Sequence, residues 1–146
     1  MKIIAFLLVF TFVNNDCTDM NTIRKAYHEV VSEKDLNNFI KLLESRTCEE
    51  IEPYIASSIM QKSEHAFITK KMKYFKEGKE RLESFITKNP NNVEAKYIRY
   101  LIQKEIPSFL NYKENIAQDS LFIVENISSS NLPMDYQKLI LKNISQ

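Results

Sequence analysis

The side chains best suited to catalysis are few in this chain and widely separated. Its two histidines, His28 and His65, each lie alone in a helical pattern, without a nearby set of aspartate, cysteine or histidine. A catalytic histidine needs an oriented partner, so both are interpreted as surface or partly buried histidines. The paired acids Glu49 and Glu50 stand at a predicted helix start, where they complement the helix dipole. No nucleophile-elbow, zinc-protease, phosphate-loop or dinucleotide motif occurs, so no catalytic and no cofactor-binding residue is predicted.

The two cysteines, Cys17 and Cys48, belong to no Cys-x-x-Cys motif and no Cys/His cluster. The sequence therefore predicts no metal-binding residue. The alternative is a disulfide bond between them, which an oxidising compartment allows. Two unpaired thiols are the favoured interpretation, because Cys17 stands next to a predicted export signal.

A basic run with interleaved aromatic residues spans residues 70–76. Contact with nucleic acid or an anionic glycan is one interpretation of such a run. Acidic residues follow at once, so a solvated helix face with pairs such as Lys76–Glu80 and Lys79–Glu83 is favoured. The formal net charge of the whole chain is only +1, and we predict no nucleic-acid partner and no broad attraction to anionic membranes.

Tyrosine and arginine are the residues most favoured at contact hot spots. The second half of the chain contains several of them, and they are our candidate partner-binding residues, on the hypothesis that they line a groove: Arg81, Tyr97, Arg99, Tyr100 and Tyr112. The alternative is that Tyr97 packs in the core while Tyr100 lies at its edge.

The elements that position these residues are predicted to be helices throughout. Apolar residues recur at spacings of three and four, and a single glycine with four prolines leaves little material for hairpin turns. The spacing predicts an all-α fold of six to seven helices, with faces at 23–31, 36–43, 54–60, 66–87, 93–102, 116–127 and 133–144. A break near 70–74 is expected in the longest run, and Ser32 or Asp35 is expected to cap the second helix.

The single glycine, Gly78, lies within a helical pattern rather than in a turn. Glycine inside a helix costs about 1 kcal/mol relative to alanine, so its presence predicts a close approach by another helix. Counting back from Pro90 as the end of a 34-residue tetratricopeptide-like unit places Ala66 and Gly78 on small positions and Leu82 on a large one. We therefore expect antiparallel helix pairs in a tetratricopeptide-like, right-handed stack.

The first sixteen residues differ from the rest of the chain. Lys2 is followed by an uncharged apolar run, Ile3 to Val13. This pattern is typical of a secretory signal and is shorter than the roughly 20 residues of a membrane span. We expect residues 1–16 to be a signal peptide with an open cleavage site. Residues 17–146 then form one helical domain, exported to the periplasm or the extracellular space, with no membrane span after signal removal.

Part of the chain, Tyr74 to Ile127, resembles a family of uncharacterised exported α-helical proteins from Bacteroidetes-type bacteria. The residues that carry the resemblance are 73–79, 89–92, 98–100, 107–110, 112 and 115–116, in the order of a YFxxGKxxL, DPNN and PSFLGY pattern. Asn111 stands where that pattern has glycine. The resemblance implies a helical fold and export, and it implies no activity.

These observations predict an exported binding or scaffold module that presents a groove to a peptide or protein partner, without catalysis or a cofactor. Stacked helix pairs form extended surfaces of this kind. The alternatives are a small envelope enzyme whose site is assembled only in three dimensions and a structural subunit of an envelope complex. A deep polar pocket would favour the enzyme, and a large exposed apolar patch would favour the subunit.

Overall fold

The computed structural model describes residue 17 and residues 19–146. Within them the chain forms seven α-helices and no strand, which confirms the all-α prediction and the helix count. The helices are α1 (Met20–His28), α2 (Glu33–Glu44), α3 (Glu52–His65), α4 (Ile68–Lys88), α5 (Val93–Glu105), α6 (Ile116–Asn126) and α7 (Met134–Ile144). Short 3₁₀ turns lie at Glu49–Ile51, Ser108–Leu110 and Ile127–Ser129. The predicted signal peptide, residues 1–16, lies outside the described residues.

The helix boundaries follow local chemistry. The Ser32 hydroxyl caps α2 by accepting from the Asp35 amide at 3.2 Å, and the Asn92 side chain caps α5 by accepting from the Ala95 amide at 2.8 Å. Helix α5 ends before Pro107 because a residue that precedes proline disfavours helical geometry. The expected break near 70–74 is wrong, since α4 is continuous from Ile68 to Lys88.

The first six helices form three antiparallel pairs. In each pair, residues early in one helix meet residues late in the next. The contacts are Asp19–Arg46 and Tyr27–Phe39 for α1 and α2, Glu52–Arg81 and Lys71–Glu64 for α3 and α4, and Arg99–Asp119 and Gln103–Asn115 for α5 and α6. The connections within the three pairs border one cavity, because Val31, His65 and Pro107 all line it. These three connections therefore lie at the same end of the molecule, which we call the connection end.

Two apolar clusters fill the interior. The larger joins α1 to α5 around Tyr54, Leu82 and Ile98, and the smaller joins α5, α6 and α7 around Tyr97 and Ile140. Helix α1 also reaches α5 and α7 directly through aromatic contacts. The face shared by the odd-numbered helices is therefore filled by side chains and is not an open groove.

The helix pairs do not begin where a tetratricopeptide-like unit counted back from Pro90 would place them. A 34-residue unit ending near Pro90 begins inside α3. Ala66, which that count treats as a small packing position, instead ends α3 in an extended conformation. The tetratricopeptide-like, right-handed stacking stays a prediction.

Gly78 lies at a close crossing of α4 with α3, as its isolated position in the sequence predicts. A Cβ atom added to Gly78 would lie 2.5 Å from the Ala56 carbonyl oxygen and 2.9 Å from the Met60 amide nitrogen. Both are backbone atoms, so a side-chain rotation cannot relieve the overlap. The absence of a side chain at residue 78 is what allows the two helices to pack this closely.

Replacing Gly78 is expected to destabilise the protein in proportion to the size of the new side chain. Alanine gains about 1 kcal/mol of helix propensity but must push two backbones apart, and overpacking of this kind costs about 1–3 kcal/mol. We therefore expect Gly78→Ala to be mildly to clearly destabilising and Gly78→Leu to be worse. Urea midpoints of both variants, with the slope checked for two-state behaviour, measure the effect. If either variant were more stable than the parent protein, the close crossing of α3 and α4 at Gly78 would be contradicted.

Asn111 adopts the left-handed conformation, with φ 46° and ψ 50°, in the link between α5 and α6. It is the single non-glycine residue with positive φ in the described part of the chain. Asparagine tolerates this region better than other residues with a side chain. Asparagine therefore takes the place of the glycine that the resemblance leads one to expect.

Candidate functional site

The predicted binding set does not form one surface. Tyr97 and Tyr112 are fully buried, and Tyr100 and Arg99 are 4% and 6% exposed. Arg81 alone of the five retains substantial exposure, with 39% of its side chain open to solvent. The burial of Tyr97 fits the core alternative, although Tyr100 is buried as well. Only Arg81 is open to a partner in this structure.

Arg99 holds together a buried polar network between α4, α5 and α6. Its guanidinium donates to both oxygens of Asp119 at 2.7 Å, and a third nitrogen donates to Glu83 at 2.7 Å. The Tyr112 hydroxyl donates to the other oxygen of Glu83. Every charge in the network has an opposite partner, so its role is structural.

A second network joins all four odd-numbered helices at Glu94. Arg24 of α1 donates to both of its carboxylate oxygens, at 2.7 and 2.9 Å, and Tyr54 of α3 donates to it at 2.5 Å. The Tyr54 and Tyr136 hydroxyls lie 3.1 Å apart, which brings in α7. Burial and Glu94 raise the pKa of Tyr54 well above its ordinary value. A phenol of this kind stays protonated at neutral pH and acts as a donor rather than a base.

His28 packs beside the second network. Its ring lies 5.4 to 6.0 Å from the rings of Tyr27, Tyr97 and Tyr136, and its Nε2 atom is buried without a hydrogen-bond partner. Burial lowers the pKa of His28 below 6.5, although the charge of Glu94 acts in the opposite direction. The imidazole is therefore neutral in the folded protein at neutral pH.

The lowered pKa of His28 predicts a loss of stability in mild acid. The unfolded chain binds a proton at His28 more readily than the folded protein does, so the free energy of unfolding falls as the pH drops below about 6.5. We expect His28→Gln to flatten this dependence between neutral pH and about pH 5, where most carboxylates remain charged. Urea midpoints across that range measure it. The matched control is His65→Gln at an exposed position, and an equal flattening by the control would contradict the assignment.

A long groove runs beside α4 on the side that faces α2. Three cavities of about 290, 390 and 460 Å³ follow one another along it. The first two share Lys62 and Tyr74, and the last two share Glu77 and Arg81. Since α4 has 21 residues, the groove follows a helix about 30 Å long.

One face of α4 forms a wall along the whole groove. The lining residues recur every three or four positions, which is the helical period: Lys70, Tyr74, Glu77, Arg81, Ser84 and Lys88. Opposite the first two cavities the wall is the outer face of α2, with Glu33, Asn37, Ile40 and Glu44; at the third cavity Glu49 and Glu52 take its place. Helix α3 forms the floor between them.

The middle of the groove is apolar and its edges are charged. Half-buried Ile40, Ile55 and Ile59 lie beside Tyr74 in the central cavity. Arg81 lies at the edge and donates to both oxygens of Glu52, at 2.6 and 2.7 Å. An apolar centre with a charged rim is the usual composition of a surface that binds another protein.

The groove-lining stripe along α4 follows a helical period in the sequence, but Arg81 is the one predicted binding residue that belongs to it. The other four lie on α5 or in the link after it. Tyr97 and Arg99 have residue types that favour contact, yet they lie on the side of α5 that meets α6 and α7. The predicted Lys79–Glu83 pair is absent because Glu83 bonds to Arg99 and Tyr112, while Lys79 lies 4.4 Å over the Tyr112 ring. Only the position of α2 shows that the α4 stripe faces a groove.

The two cysteines are joined as a disulfide, with their Cα atoms 5.5 Å apart. The favoured interpretation of two unpaired thiols is therefore wrong. The reason lies in the fold, because the antiparallel pairing of α1 and α2 brings the residues before α1 next to those after α2. Glu50 lies beside both sulfur atoms, and the three form the one group of metal-ligand side chains found among the described residues. A disulfide has no thiolate to offer a metal.

Comparisons with known families, with curated proteins and with solved structures find no match to this chain. The resemblance to an exported helical family therefore stays a prediction from the residues. Among the described residues, no helix combines the length and the apolar character needed to cross a bilayer.

Proposed function

We propose that this protein is a non-catalytic binding module and that the groove beside α4 holds a segment of a peptide or protein partner. The observation that carries the proposal is the continuity of the groove along α4, with an apolar centre and charged edges. Helical grooves of this type receive amphipathic segments whose apolar residues recur at helical spacing.

The chemistry of the groove describes the segment it receives. Ile40, Ile55 and Ile59 offer apolar surface at the centre, so the partner places bulky apolar side chains there. The rim carries both signs of charge, with Arg46, Lys62 and Arg81 beside Glu44 and Glu77. This mixture favours a partner segment with both acidic and basic residues flanking its apolar face.

Export is part of the same proposal. The Cys17–Cys48 disulfide supports it, because disulfides persist in oxidising compartments outside the cytosol. An apolar run after Lys2 supports it from the sequence. The alternative of an enzyme is not favoured, since the two buried networks are closed by their own internal partners.

Selection from a displayed library of random peptides tests the groove. We expect enrichment of sequences with bulky apolar residues three and four positions apart, and loss of their binding in Ile59→Glu, which places a charge at the centre. Tyr74→Ala is a second, milder variant whose fold is checked by circular dichroism. The matched control is Val124→Glu, at a 53% exposed apolar position on α6 outside the groove. Failure to enrich any sequence, or equal loss in the control, would refute the proposal.

A further inference from the structure

The first two turns of α4 are largely uncovered by the rest of the fold. All seven residues from Phe67 to Lys73 are exposed. Phe67 is 85% exposed, Ile68 86% and Met72 48%; Lys70 and Lys71 stand between Ile68 and Met72, and Lys73 follows. We call residues 67–73 the α4 tip. The tip contains three lysines and no acid, in a chain whose net charge is only +1.

The α4 tip breaks three local rules of helix stability. Phe67, at the N-cap position, makes no side-chain cap, and the first turn has no acidic residue. The lysines stand near the positive end of the helix dipole, where cations are unfavourable. Large apolar side chains are also left in water. Natural sequences depart from local stability rules mainly at functional positions.

The connections on either side of the tip carry exposed apolar side chains too. Val31, between α1 and α2, is 88% exposed, and Phe109, between α5 and α6, is 78% exposed. Val31 lines the cavity at the connection end, and Pro107 and Leu110, which flank Phe109 in sequence, line it as well. The connection end therefore presents bulky apolar residues from three separate connections.

We propose that the α4 tip attaches the protein to an anionic lipid surface, next to the first cavity of the partner groove, which Phe67 and Lys70 also line. Phe67, Ile68 and Met72 enter the boundary between headgroups and acyl chains, as the apolar faces of interfacial helices do. Lys70, Lys71 and Lys73 contact the lipid phosphates, and the uncapped amides of α4 face the same anionic layer. Val31 and Phe109 add apolar contact from the neighbouring connections.

The charged residues within the tip itself are all basic, although exposed acids lie near it. Glu33 lines the first groove cavity together with Phe67 and Lys70, and Glu64 and Glu105 line the cavity at the connection end. A soluble polyanion would account for the lysines alone. It would leave the exposed Phe67 and Ile68 without an explanation, so a lipid surface fits the whole segment better.

Vesicle co-sedimentation tests the inference. We expect the protein to bind vesicles of equimolar phosphatidylcholine and phosphatidylglycerol and not vesicles of phosphatidylcholine alone. Since each lysine near an anionic surface strengthens binding about five-fold, the triple variant Lys70→Gln, Lys71→Gln, Lys73→Gln should bind about a hundred-fold more weakly. The double variant Phe67→Ser, Ile68→Ser should bind at least about ten-fold more weakly, because it removes the apolar contact.

The matched control replaces three exposed lysines on α2 and α7, in the variant Lys41→Gln, Lys138→Gln, Lys142→Gln. It should lose far less than the tip variant. The inference is overturned if the protein does not bind the mixed vesicles, or if the control variant loses as much binding as the triple lysine variant. It is also overturned if the double variant Phe67→Ser, Ile68→Ser binds as the parent does, because that result would indicate a site for a soluble polyanion. A dimer that Phe67→Ser dissociates in analytical ultracentrifugation would overturn it in favour of a second copy. Phe67 and Lys70 also line the first cavity of the groove. The double variant Lys71→Gln, Lys73→Gln leaves that cavity intact, so it should bind vesicles more weakly and keep peptide binding.

Discussion

Replacing Arg99 by methionine is expected to lower the free energy of unfolding by about 3–5 kcal/mol, the usual effect of removing one partner from a buried ion pair. Asp119 is fully buried, and both of its carboxylate oxygens accept from Arg99. Methionine fills much of the space of the arginine stem but offers no donor, so the carboxylate is left charged in an apolar interior. Urea unfolding of the variant measures the loss.

The matched control is Arg81→Met. Arg81 makes the same two-point contact, with Glu52, but the two side chains are 39% and 29% exposed. Water screens an exposed pair, so we expect the control to change stability by no more than about 1 kcal/mol. The double variant Arg99→Met, Asp119→Leu should recover most of the loss, because it removes both buried charges. A loss in Arg99→Met no larger than in Arg81→Met would show that Asp119 is not sealed from water.

Reducing the Cys17–Cys48 disulfide is expected to lower stability by about 3–4 kcal/mol through the entropy of the opened loop. The bond spans 31 positions and ties the residues before α1 to the end of the α2 hairpin. Two unpaired thiols, the interpretation favoured from the sequence, would leave stability insensitive to reductant. Since the structure pairs them, a clear drop in the urea midpoint on adding reductant is now expected.

The control for this experiment is the double variant Cys17→Ser, Cys48→Ser. Its midpoint should equal that of the reduced parent and should not respond to reductant. A thiol assay on the unfolded, unreduced protein supplies a second measurement, in which the parent should show no free thiol. Two reactive thiols per chain, or a midpoint that reductant does not move, would exclude the disulfide.

Helix position was largely predictable from the chain because it depends on local properties. Apolar spacing located the helical segments, Ser32 and Asn92 mark two starts, and Pro107 marks an end. Gly78 also predicted a close crossing, since glycine is costly inside a helix unless contact requires it. Even so, the sequence did not show that α4 is unbroken, because a long amphipathic run is compatible with either one helix or two.

The position of each helix face relative to the rest of the fold was decided only by the tertiary structure. Tyr97 and Tyr100 have the residue types of a binding surface, yet α6 and α7 cover them. Arg24 and Glu94 form a buried pair 70 residues apart, and neither carries a local signal of its partner. Tyr74 and Arg81 line a groove only because α2 packs opposite α4.

One physical reason separates what the sequence predicted from what the tertiary structure decided. Helix formation depends on hydrogen bonds and side-chain spacing within a few residues, which the sequence contains directly. Burial depends on which elements meet in space, and those contacts join residues far apart in the chain. The sequence by itself therefore determined where the helical segments lie and that Gly78 marks a tight crossing. The tertiary structure decided which tyrosines are core, that Cys17 and Cys48 meet, and which face of α4 borders a groove.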